Sequence, residues 1–486
     1  MFKDYNGLGS RSYYRREDAS SIYSSLEECL HSSPSLTPYI DGTAILSILM
    51  KNYSIGNRTL IKGVQRTPWM SYQNEKGLWE NLDLPRHGDL RVEPQEASKV
   101  LYQHLISELG TFLSNKTTVG VLLSGGMDSR IVAGVLRQLQ KSGDYSGDVV
   151  AITWGIPESR DVIYAKRIAN EFGWSFEHFE LNAERLLQNI ELSATRGAEY
   201  SPIHLHAMEA VSKLEGLEGV LAGSYGDSIG RGEYSGRRYN KLPGILDKHL
   251  NHFAFLNKAV ENQELINLKH ELAAARERFP GRSEAEYREI EMQLHYMRRQ
   301  LNACMEVIDD NIPLYQMFSS PSTFGYMWSL SKESRTDDVY EHLLKYLPSI
   351  LSEIPWARTG KIYNSTAEMT IDNNSSLNNR YGEWLRNDLR SEIRRELLDG
   401  TLQSLGIFNE KALVYWADNW GGNNEPKADR LDEKVAWLAS LSLFCKKYNI
   451  KGNNGICFHS GIDYLNLAKA VFHTKIYHSA LKFKNR

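Results

Sequence analysis

The segment 119–136, VGVLLSGGMDSRIVAGVL, constrains the fold more than any other part of the chain. It begins as a short apolar run typical of a buried strand and ends with apolar residues at helical spacing. The sequence Ser-Gly-Gly-Met-Asp-Ser lies between these two parts. A strand that enters a helix through such a turn directs backbone N–H groups into one concavity, where the helix N-terminus adds partial positive charge. The segment therefore predicts a phosphate or pyrophosphate cradle.

The turn also contains a carboxylate, Asp128, which limits the ligands that the turn can bind. A carboxylate beside bare phosphate is repelled, but it is favourable if it holds Mg²⁺ that bridges to the phosphates. The GxxxxGK[ST] spacing and lysine of a Walker loop are missing, and so is GxGxxG. A simpler alternative stays open, in which Asp128 or Ser129 only caps the helix of a tight turn.

A second segment, residues 219–236 with the sequence GVLAGSYGDSIGRGEYSG, repeats this arrangement. An apolar run is followed by a glycine-rich turn and a carboxylate, Asp227. Sites in open α/β sheets lie at the carboxyl ends of the strands, so the two loops can hold one Mg²⁺-nucleotide between Asp128 and Asp227. The alternative for this segment is a flexible glycine loop.

Between residues 119 and 228, short apolar runs alternate with helical segments, which predicts an α/β fold with a parallel sheet and crossover helices. Residues 1–90 resemble a small α+β unit of short strands and helices. Beyond about residue 240 the pattern is almost wholly helical. Because 486 residues exceed one ordinary core, we expect domains at 1–90 and 91–445 and a basic extension at 446–486.

Composition excludes several classes of protein. The net charge of -3 gives no global field that would attract nucleic acid. The four cysteines, Cys29, Cys304, Cys445 and Cys457, form no CxxC pair, which argues against a zinc site or a disulfide framework. No apolar run is long enough to cross a membrane, and the first residues lack a signal-peptide pattern. We therefore expect a soluble cytoplasmic protein without a membrane partner.

The SGGMDS motif is similar to the SGGxDS signature of the PP-loop ATP pyrophosphatases. Its context resembles the synthetase domain of glutamine-dependent asparagine synthetase and its relatives, the β-lactam synthetases and lasso-peptide cyclases. Three further stretches carry this resemblance: TWGIPESRDVIYAKRIANEFG, which contains Asp161, then AGSYGDSIGRG, and then YEHLLKYLPSIL followed by RTGKIY. The resemblance covers about residues 90–445 and implies the adenine-nucleotide alpha-hydrolase-like fold.

The resemblance also implies ligands and chemistry. ATP would bind with its adenine near Leu122, Leu123 and Thr153, and Asp128 and Asp227 would hold Mg²⁺. A substrate carboxylate would attack the α-phosphorus to form an acyl-adenylate, and an amine would then release AMP. The remaining residues expected around the nucleotide are Ser124, Gly125, Gly126, Ser129 and Gly223.

The N-terminal part departs from this pattern. The segment DYNGLGSRSYYRREDASSIYSSLEECL resembles only the later part of the family's glutaminase domain, and the chain begins Met-Phe-Lys where that domain has a nucleophilic cysteine. Cys29 falls in a predicted helix, where we expect a plain buried residue. The resemblance therefore implies no glutamine hydrolysis by this chain. Ammonia from a separate subunit, another amine, or truncation of the chain all remain open.

The catalytic groups depart as well. Relatives carry a glutamate or tyrosine, available as a base near the substrate amine, after the first glycine of the second loop. This chain has Ser224 there and then Tyr225, which is the candidate catalytic residue of this loop. The family's lysine that stabilises the leaving pyrophosphate has two candidate replacements, Arg335 and Lys361. Arg130 and the pair of His204 and His206 are further candidates. Arg130 is as compatible with a helix surface as with phosphate, and His204 with His206 more often forms a structural pair than a metal site.

The sequence thus predicts an ATP-dependent, AMP-forming amide ligase that acts on a small-molecule or peptide carboxylate. Two alternatives remain. One is a PP-loop enzyme that modifies tRNA, against which the ordinary net charge argues. The other is a non-catalytic, nucleotide-binding partner subunit, which Ser224 and Ser228 favour and the intact SGGMDS motif opposes.

Overall fold

The structure is a computed structural model that describes residues 8, 11–32, 37–235, 244–247, 251–362, 374–452 and 461–484, the last seven as backbone only. Its strands are β1 (Tyr14–Arg16), β2 (Ile22–Tyr23), β3 (Val64–Arg66), β4 (Ser71–Gln73), β5 (Trp79–Asn81), β6 (Thr118–Leu122), β7 (Asp148–Gly155), β8 (Ser175–Glu180), β9 (Val220–Ala222) and β10 (Leu314–Gln316).

The α-helices of the described residues are α1 (Leu26–His31), α2 (Gly42–Lys51), α3 (Pro94–Leu113), α4 (Met127–Ser142), α5 (Arg160–Phe172), α6 (Ala183–Thr195), α7 (Met208–Ser212), α8 (Lys258–Glu277), α9 (Glu284–Glu291), α10 (Ala303–Asp309), α11 (Pro321–Ser329), α12 (Asp338–Leu344), α13 (Ile350–Glu353), α14 (Tyr381–Arg386), α15 (Arg390–Leu398), α16 (Glu410–Asn419), α17 (Arg430–Lys447) and α18 (Gly461–Lys484).

A five-stranded sheet in the order β10-β9-β6-β7-β8 forms the centre of the molecule. All four of its strand pairs are parallel, so the predicted α/β fold with a parallel sheet is confirmed. Side chains of β6 alternate between two hydrophobic clusters, with Val121 in one and Leu122 in the other. Burial on both faces is the usual state of a parallel sheet.

The order of the strands creates a reversal point. From β6 the chain moves through α4 to β7 and through α5 to β8, and then returns to place β9 on the other side of β6. In open α/β sheets a crevice forms at such a point, outside the carboxyl ends of the two strands. The turn after β6 contains SGGMDS and the turn after β9 contains Asp227, so the topology brings the two predicted loops to the same place.

The crossover helices begin and end where the sequence provides caps. Ser159 is the N-cap of α5, and its side chain accepts a hydrogen bond from the Val162 N–H. Gly143 and Gly173 follow α4 and α5 in left-handed conformations, with φ of 83° and 71°. Glycine is the residue that adopts this conformation with least strain. These caps define the ends of the two crossover helices that follow β6 and β7.

The N-terminal part forms a three-stranded antiparallel sheet, β2-β1-β3, a β4-β5 hairpin and helices α1 and α2. The predicted short strands and the helix at LEECL are therefore present. This part has no core of its own, because Tyr14, Leu26 and Ile45 lie in the same cluster as Leu397 and Trp437 of the C-terminal helices. The domain boundaries and the relation to a glutaminase domain stay predictions.

The C-terminal half is helical, as expected. One segment that reads as a single helix is divided in two, and one stretch is π-helical. The segment at RYGEWLRNDLRSEIRRELL forms two helices, α14 and α15, separated at 387–389. Asn and Asp in this gap favour turns. Helices α9 and α10 are joined by a π-helical stretch, Met292–Asn302, into one continuous rod. No helix in the described ranges combines the length and apolar character required to cross a membrane.

Candidate functional site

The turn after β6 holds its shape through its own side chains. The Ser124 N–H donates to Ser129 Oγ at 3.1 Å, and the Gly126 N–H donates to Ser124 Oγ at 3.1 Å. The Gly125 N–H donates to Asp161 Oδ1 at 3.0 Å, which explains the carboxylate at the start of α5. The turn between β6 and α4 is present, and an anion would have to replace these oxygens to reach the three N–H groups.

Glycine at position 125 has a packing reason. A Cβ there would lie 2.5 Å from the Cβ of Ala357 and 3.0 Å from Cδ2 of Tyr164, which is closer than real side chains approach. The sequence interpretation assigned this glycine to the approach of an anion. In the structure, the close contact with Ala357 and α5 is sufficient to require it.

Arg130 ties this turn to the segment after α12. Its side chain is fully buried, and its guanidinium donates to the backbone oxygens of Gly125, Leu351, Ile354 and Pro355 at 2.5 to 3.0 Å. Burial lowers the pKa of Arg130 to about 10, so it remains a cation at neutral pH. Neither role considered from sequence fits, because the side chain reaches neither the helix surface nor a phosphate position.

The loop after β9 is pressed against the first turn of α4. A Cβ at Gly223 would lie 2.8 Å from the backbone carbon of Asp128, and a Cβ at Gly226 would lie 2.5 Å from Asp128 Oδ1. The Tyr340 hydroxyl donates to the Gly226 oxygen at 2.9 Å and fixes the loop from behind. Glycines at both positions therefore allow the second loop to reach the aspartate of the first.

This contact creates a pair of interacting carboxyl groups. Burial raises the pKa of Asp128 to about 7, Arg231 opposes the rise, and Asp227 adds to it. Burial likewise raises the pKa of Asp227, against the opposing effect of Arg231. Burial therefore disfavours the charged form of both carboxyl groups, which is common at functional sites.

The pair is compatible with magnesium. Asp128 Oδ1 is buried and has no hydrogen-bond partner in the described part of the chain, so one oxygen is available to a ligand. Across the same residues no group of three or more His, Cys, Asp or Glu side chains could hold a metal by itself. Mg²⁺ commonly binds through one or two carboxylates together with substrate phosphates and water. Asp128 and Asp227 therefore fit an ion that is shared with a nucleotide.

Arg231, which sequence reasoning missed, is the cation at this junction. Its guanidinium lies 3.7 Å from Asp128 Oδ2 and 3.8 Å from Asp337 Oδ1. It also lies over the rings of Tyr340 and Trp356, at 5.6 and 5.9 Å from their centroids. The available signal was the arginine four positions after Asp227 in GDSIGRG.

A cavity of about 370 Å³ lies at the carboxyl edge of β6, β7 and β9. This volume is within the range of small-molecule sites. The structure brings together at this cavity eight of the residues predicted for the nucleotide: Leu122, Leu123, Ser124, Gly126, Asp128, Ser129, Thr153 and Gly223. Gly125 lies in the same turn, and the charge of Asp227 raises the pKa of Asp128.

The two histidines of SPIHLHAM also line the cavity. His206 Nδ1 lies 2.9 Å from the Tyr381 hydroxyl, and its ring is nearly parallel to the neighbouring rings of Trp154 and Tyr381. Its backbone has φ 47° and ψ -118°, a conformation that costs a non-glycine residue roughly 1–3 kcal/mol. Burial lowers the pKa of His204 to about 4 and that of His206 to about 3, so both are neutral at pH 7. The structural pair expected from sequence is in fact part of the site.

The three residues predicted as catalytic do not line the cavity. Tyr225 is 1% exposed, and its ring packs in the hydrophobic core. Arg335 is buried in a two-pronged ion pair with Glu289, with N–O distances of 2.7 and 3.0 Å, which occupies the guanidinium needed for phosphate. Lys361 is exposed in a turn that pairs with Trp356. Neither a base role for Tyr225 nor a phosphate role for Arg335 fits this arrangement.

These features define an α/β protein with a candidate nucleotide site at the reversal point of a parallel sheet. Residues 111–328 match the family model described as asparagine synthase. A similar curated protein is the glutamine-hydrolysing asparagine synthetase of Gallus gallus, 28% identical over 109 residues. That stretch is 22% of this chain and 19% of the relative, so the matched part is about one-fifth of the relative's length. The matches support an asparagine synthetase-like central region.

Two solved structures are also similar. The U34-tRNA thiolase NcsA of Methanococcus maripaludis, with its [4Fe-4S] cluster, is 16% identical and covers 52% of this chain and 80% of its own, with a TM-score of 0.22. The glutamine-dependent NAD+ synthetase of Acinetobacter baumannii, in complex with ADP, is 13% identical and covers 48% and 49%, with a TM-score of 0.21. At these TM-scores, neither structure bears on the fold or function of this chain.

Proposed function

We propose that this protein is an ATP-dependent, AMP-forming ligase that joins a substrate carboxylate to an amine. The asparagine synthase match supports the broader class of ATP-using ligases. The observation that carries the proposal is the contact between the two carboxylate loops. Gly223 and Gly226 press against Asp128 beside a cavity lined by the residues expected for ATP.

In this proposal the phosphates lie on the turn 124–126 and the first turn of α4, where the helix dipole favours negative charge. Asp128 and Asp227 are the residues that would hold Mg²⁺, which would supply positive charge against the phosphate oxygens. Arg231, close to Asp128, adds a fixed cation near the leaving pyrophosphate. The chain thus acts mainly by positioning the reactants and stabilising charge that develops in the transition state.

The proposed reaction has two steps. An oxygen of the substrate carboxylate attacks the α-phosphorus, the bond to the β-phosphate oxygen breaks, and pyrophosphate leaves with that electron pair. The amine then attacks the acyl carbon of the mixed anhydride, its proton passes to solvent water, and the bond from the acyl carbon to the phosphate oxygen breaks, so AMP leaves with that electron pair. Ser224 occupies the position of the expected base, but its hydroxyl donates to the Met305 sulfur at 2.7 Å. A hydroxyl without an adjacent base does not accept this proton at neutral pH.

We also propose that the chain supplies no ammonia from glutamine. Cys29 is fully buried in α1, and burial raises the pKa of its thiol to about 11. A protonated, inaccessible thiol is not a nucleophile. The amine would therefore come from a second substrate or from a separate ammonia-supplying subunit. Purified protein with glutamine as the nitrogen donor should release no glutamate.

A non-catalytic nucleotide-binding subunit is the second candidate, favoured by the loop after β9. Ser228 is fully buried and donates to the Tyr225 oxygen at 3.1 Å, a purely structural contact. With Ser224 bound to Met305, neither serine is positioned as a base. Nucleotide binding without exchange of pyrophosphate would identify this candidate.

The decisive experiment is ATP–pyrophosphate exchange with Mg²⁺ and pools of carboxylic acids. The ligase should incorporate labelled pyrophosphate into ATP only when a suitable acid is present. Asp128→Asn should abolish this exchange while leaving the circular dichroism spectrum unchanged. Retention of full exchange by Asp128→Asn would contradict the proposed role of this carboxylate.

A further inference from the structure

The cavity has one charged end and one uncharged end. Among the described residues that line it, the charged side chains are Asp128 and Asp161, both at the turn after β6. No lysine or arginine lines it within the described ranges. The rest of the lining consists of apolar, aromatic and neutral polar groups. The cavity therefore offers no counter-ion to a charge placed away from the phosphate loop.

Stacked rings form one wall of the uncharged end. Trp154, at the end of β7, lies 5.8 Å from the His206 ring at an interplanar angle of 16°. The centroid of the Tyr381 ring lies 5.8 Å from that of the His206 ring, at an interplanar angle of 19°. The hydrogen bond between His206 and the Tyr381 hydroxyl holds these two rings in place. The strained backbone of His206 places its ring at the cavity. Rings held in this way offer a fixed, uncharged aromatic wall to a ring-bearing ligand.

The facing wall comes from the rod formed by α9, the π-helical stretch and α10. It contributes Tyr296, Gln300, Leu301, Cys304 and Met305. Burial raises the pKa of the Cys304 thiol, so this residue is neutral too. A thioether, a thiol and an amide adapt to an uncharged ligand and can form weak polar contacts with it. Among the described residues, neither wall has a side chain of opposite charge that could pair with a buried carboxylate or ammonium group.

A second charge on the substrate would therefore be buried without a partner, which is strongly unfavourable. We propose that the end of the cavity around Trp154, His204 and His206 is the subsite for the uncharged, ring-bearing body of the acid substrate. The substrate class is an aromatic or heteroaromatic carboxylic acid, as opposed to a small amino acid or dicarboxylate. This inference rests on the proposed ligase function.

The test compares two acid pools in ATP–pyrophosphate exchange at constant ATP and Mg²⁺. One pool contains benzoate, cinnamate, nicotinate and indole-3-acetate, and the other contains aspartate, glutamate, malonate and succinate. Exchange with the best ring-bearing acid should exceed exchange with the best acid of the second pool, whose members carry an additional charged group, by at least about tenfold. Comparable or greater exchange with the charged pool would overturn the inference while leaving the ligase function intact.

Variants locate the subsite. His206→Gln should raise the KM for the best ring acid by about tenfold and leave the KM for ATP unchanged, because the proposal places the acid against this ring and the adenine near Leu122, Leu123 and Thr153. His270→Gln, on the exposed side of α8, is the matched control and should change neither value. A rise in the KM for ATP with no change for the acid would overturn the inference, since the stacked rings would then hold adenine.

A gain of function provides the reverse test. Gln300→Lys introduces a cation into the uncharged end and should shift preference toward the charged pool. Thermal unfolding confirms that each variant is folded before its preference is compared. If the wild-type protein binds Mg-ATP in calorimetry but shows no exchange with any acid, the ligase proposal fails and this inference fails with it.

Discussion

Arg130 is the residue on which the shape of the phosphate turn most depends. Replacing it with methionine removes hydrogen bonds to four backbone oxygens and leaves those oxygens buried. We expect Arg130→Met to lower the free energy of unfolding by roughly 2–4 kcal/mol, because orphaned buried acceptors cost more than lost bonds. Urea denaturation measures this change. Lys141→Met, on the exposed end of the same helix, should lie within about 0.5 kcal/mol of the wild type.

Arg231 should matter for chemistry. Its guanidinium is the cation nearest Asp128 in the described structure, at 3.7 Å. We expect Arg231→Met to lower the rate of pyrophosphate exchange by about 10²-fold, the usual effect of removing one group that stabilises transition-state charge. Arg231→Lys should recover part of this loss because it keeps the charge. Equal rates for Arg231→Met and the wild type would show that Arg231 only balances Asp128.

His206 should make stability depend on pH. Its pKa is about 3 in the folded chain, lowered by burial and then by His204, against about 6.5 when unfolded. As pH falls below 6.5 the unfolded chain takes up a proton that the folded chain does not, so stability is lost. We expect His206→Gln to lose about 2 kcal/mol less than the wild type on going from about pH 7.5 to pH 5. Urea denaturation of both proteins at these two pH values measures the difference, and parallel losses would contradict it.

Residues adjacent in sequence were easier to interpret than residues brought together by folding. SGGMDS predicted the loop at the cavity because all its functional atoms lie within one turn. Arg335 could not be judged from sequence, because its partner Glu289 lies 46 positions away on α9. The same holds for His206, whose stacking partners Trp154 and Tyr381 lie on distant elements.

At the scale of elements, contact between the two loops is the feature to test. A methyl group at Gly226 would lie 2.5 Å from Asp128 Oδ1 and would force the loops apart. We expect Gly226→Ala to reduce Mg-ATP affinity by at least about tenfold in calorimetry, because both carboxylates are needed for one ion. Gly110→Ala in α3 is the control, because the nearest atom to its Cβ would be 3.9 Å away. That change should stabilise the helix by about 0.5–1 kcal/mol.

Alternating apolar runs and helical segments were sufficient to predict the parallel sheet. The spacing of the runs also predicted that both loops lie at the carboxyl edge. The π-helical stretch Met292–Asn302 was not predictable, because a single wide helical segment within a longer helix has no local sequence pattern that distinguishes it from an α-helix. Its residues Tyr296 and Gln300 complete the cavity, so this part of the site had no sequence signal.

At the scale of the whole molecule, the N-terminal and C-terminal parts share one core. Ile45 and Leu46 of α2 belong to the same cluster as Val435 and Leu438 of α17. We therefore expect a fragment of residues 91–445 to lack cooperative unfolding, because it would expose the apolar face that residues 14–64 cover. Calorimetry of this fragment and of the full chain tests the prediction. A sharp transition in the fragment would support the boundaries predicted from sequence.

Those boundaries were placed where the sequence pattern changes along the chain. Two segments with different patterns can still bury their apolar residues in one common core. Short strands near the N-terminus read as a separate α+β unit because they differ from the helices that follow. The contacts that join them to the rest, such as Arg66 with Glu199 at 3.1 Å, span more than a hundred positions. A single sequence contains no direct signal for pairs so far apart.

The phosphate turn is saturated with hydrogen bonds before any nucleotide arrives, since Ser124, Ser129 and Asp161 already occupy its three N–H groups. Binding is consequently an exchange of oxygens, and the turn contributes to affinity only the difference between two sets of contacts. The same arrangement favours release of pyrophosphate. When pyrophosphate moves away, the hydroxyls and the carboxylate can return to the same N–H groups, so emptying the turn leaves no buried donor without an acceptor. Such a turn favours turnover over retention of product.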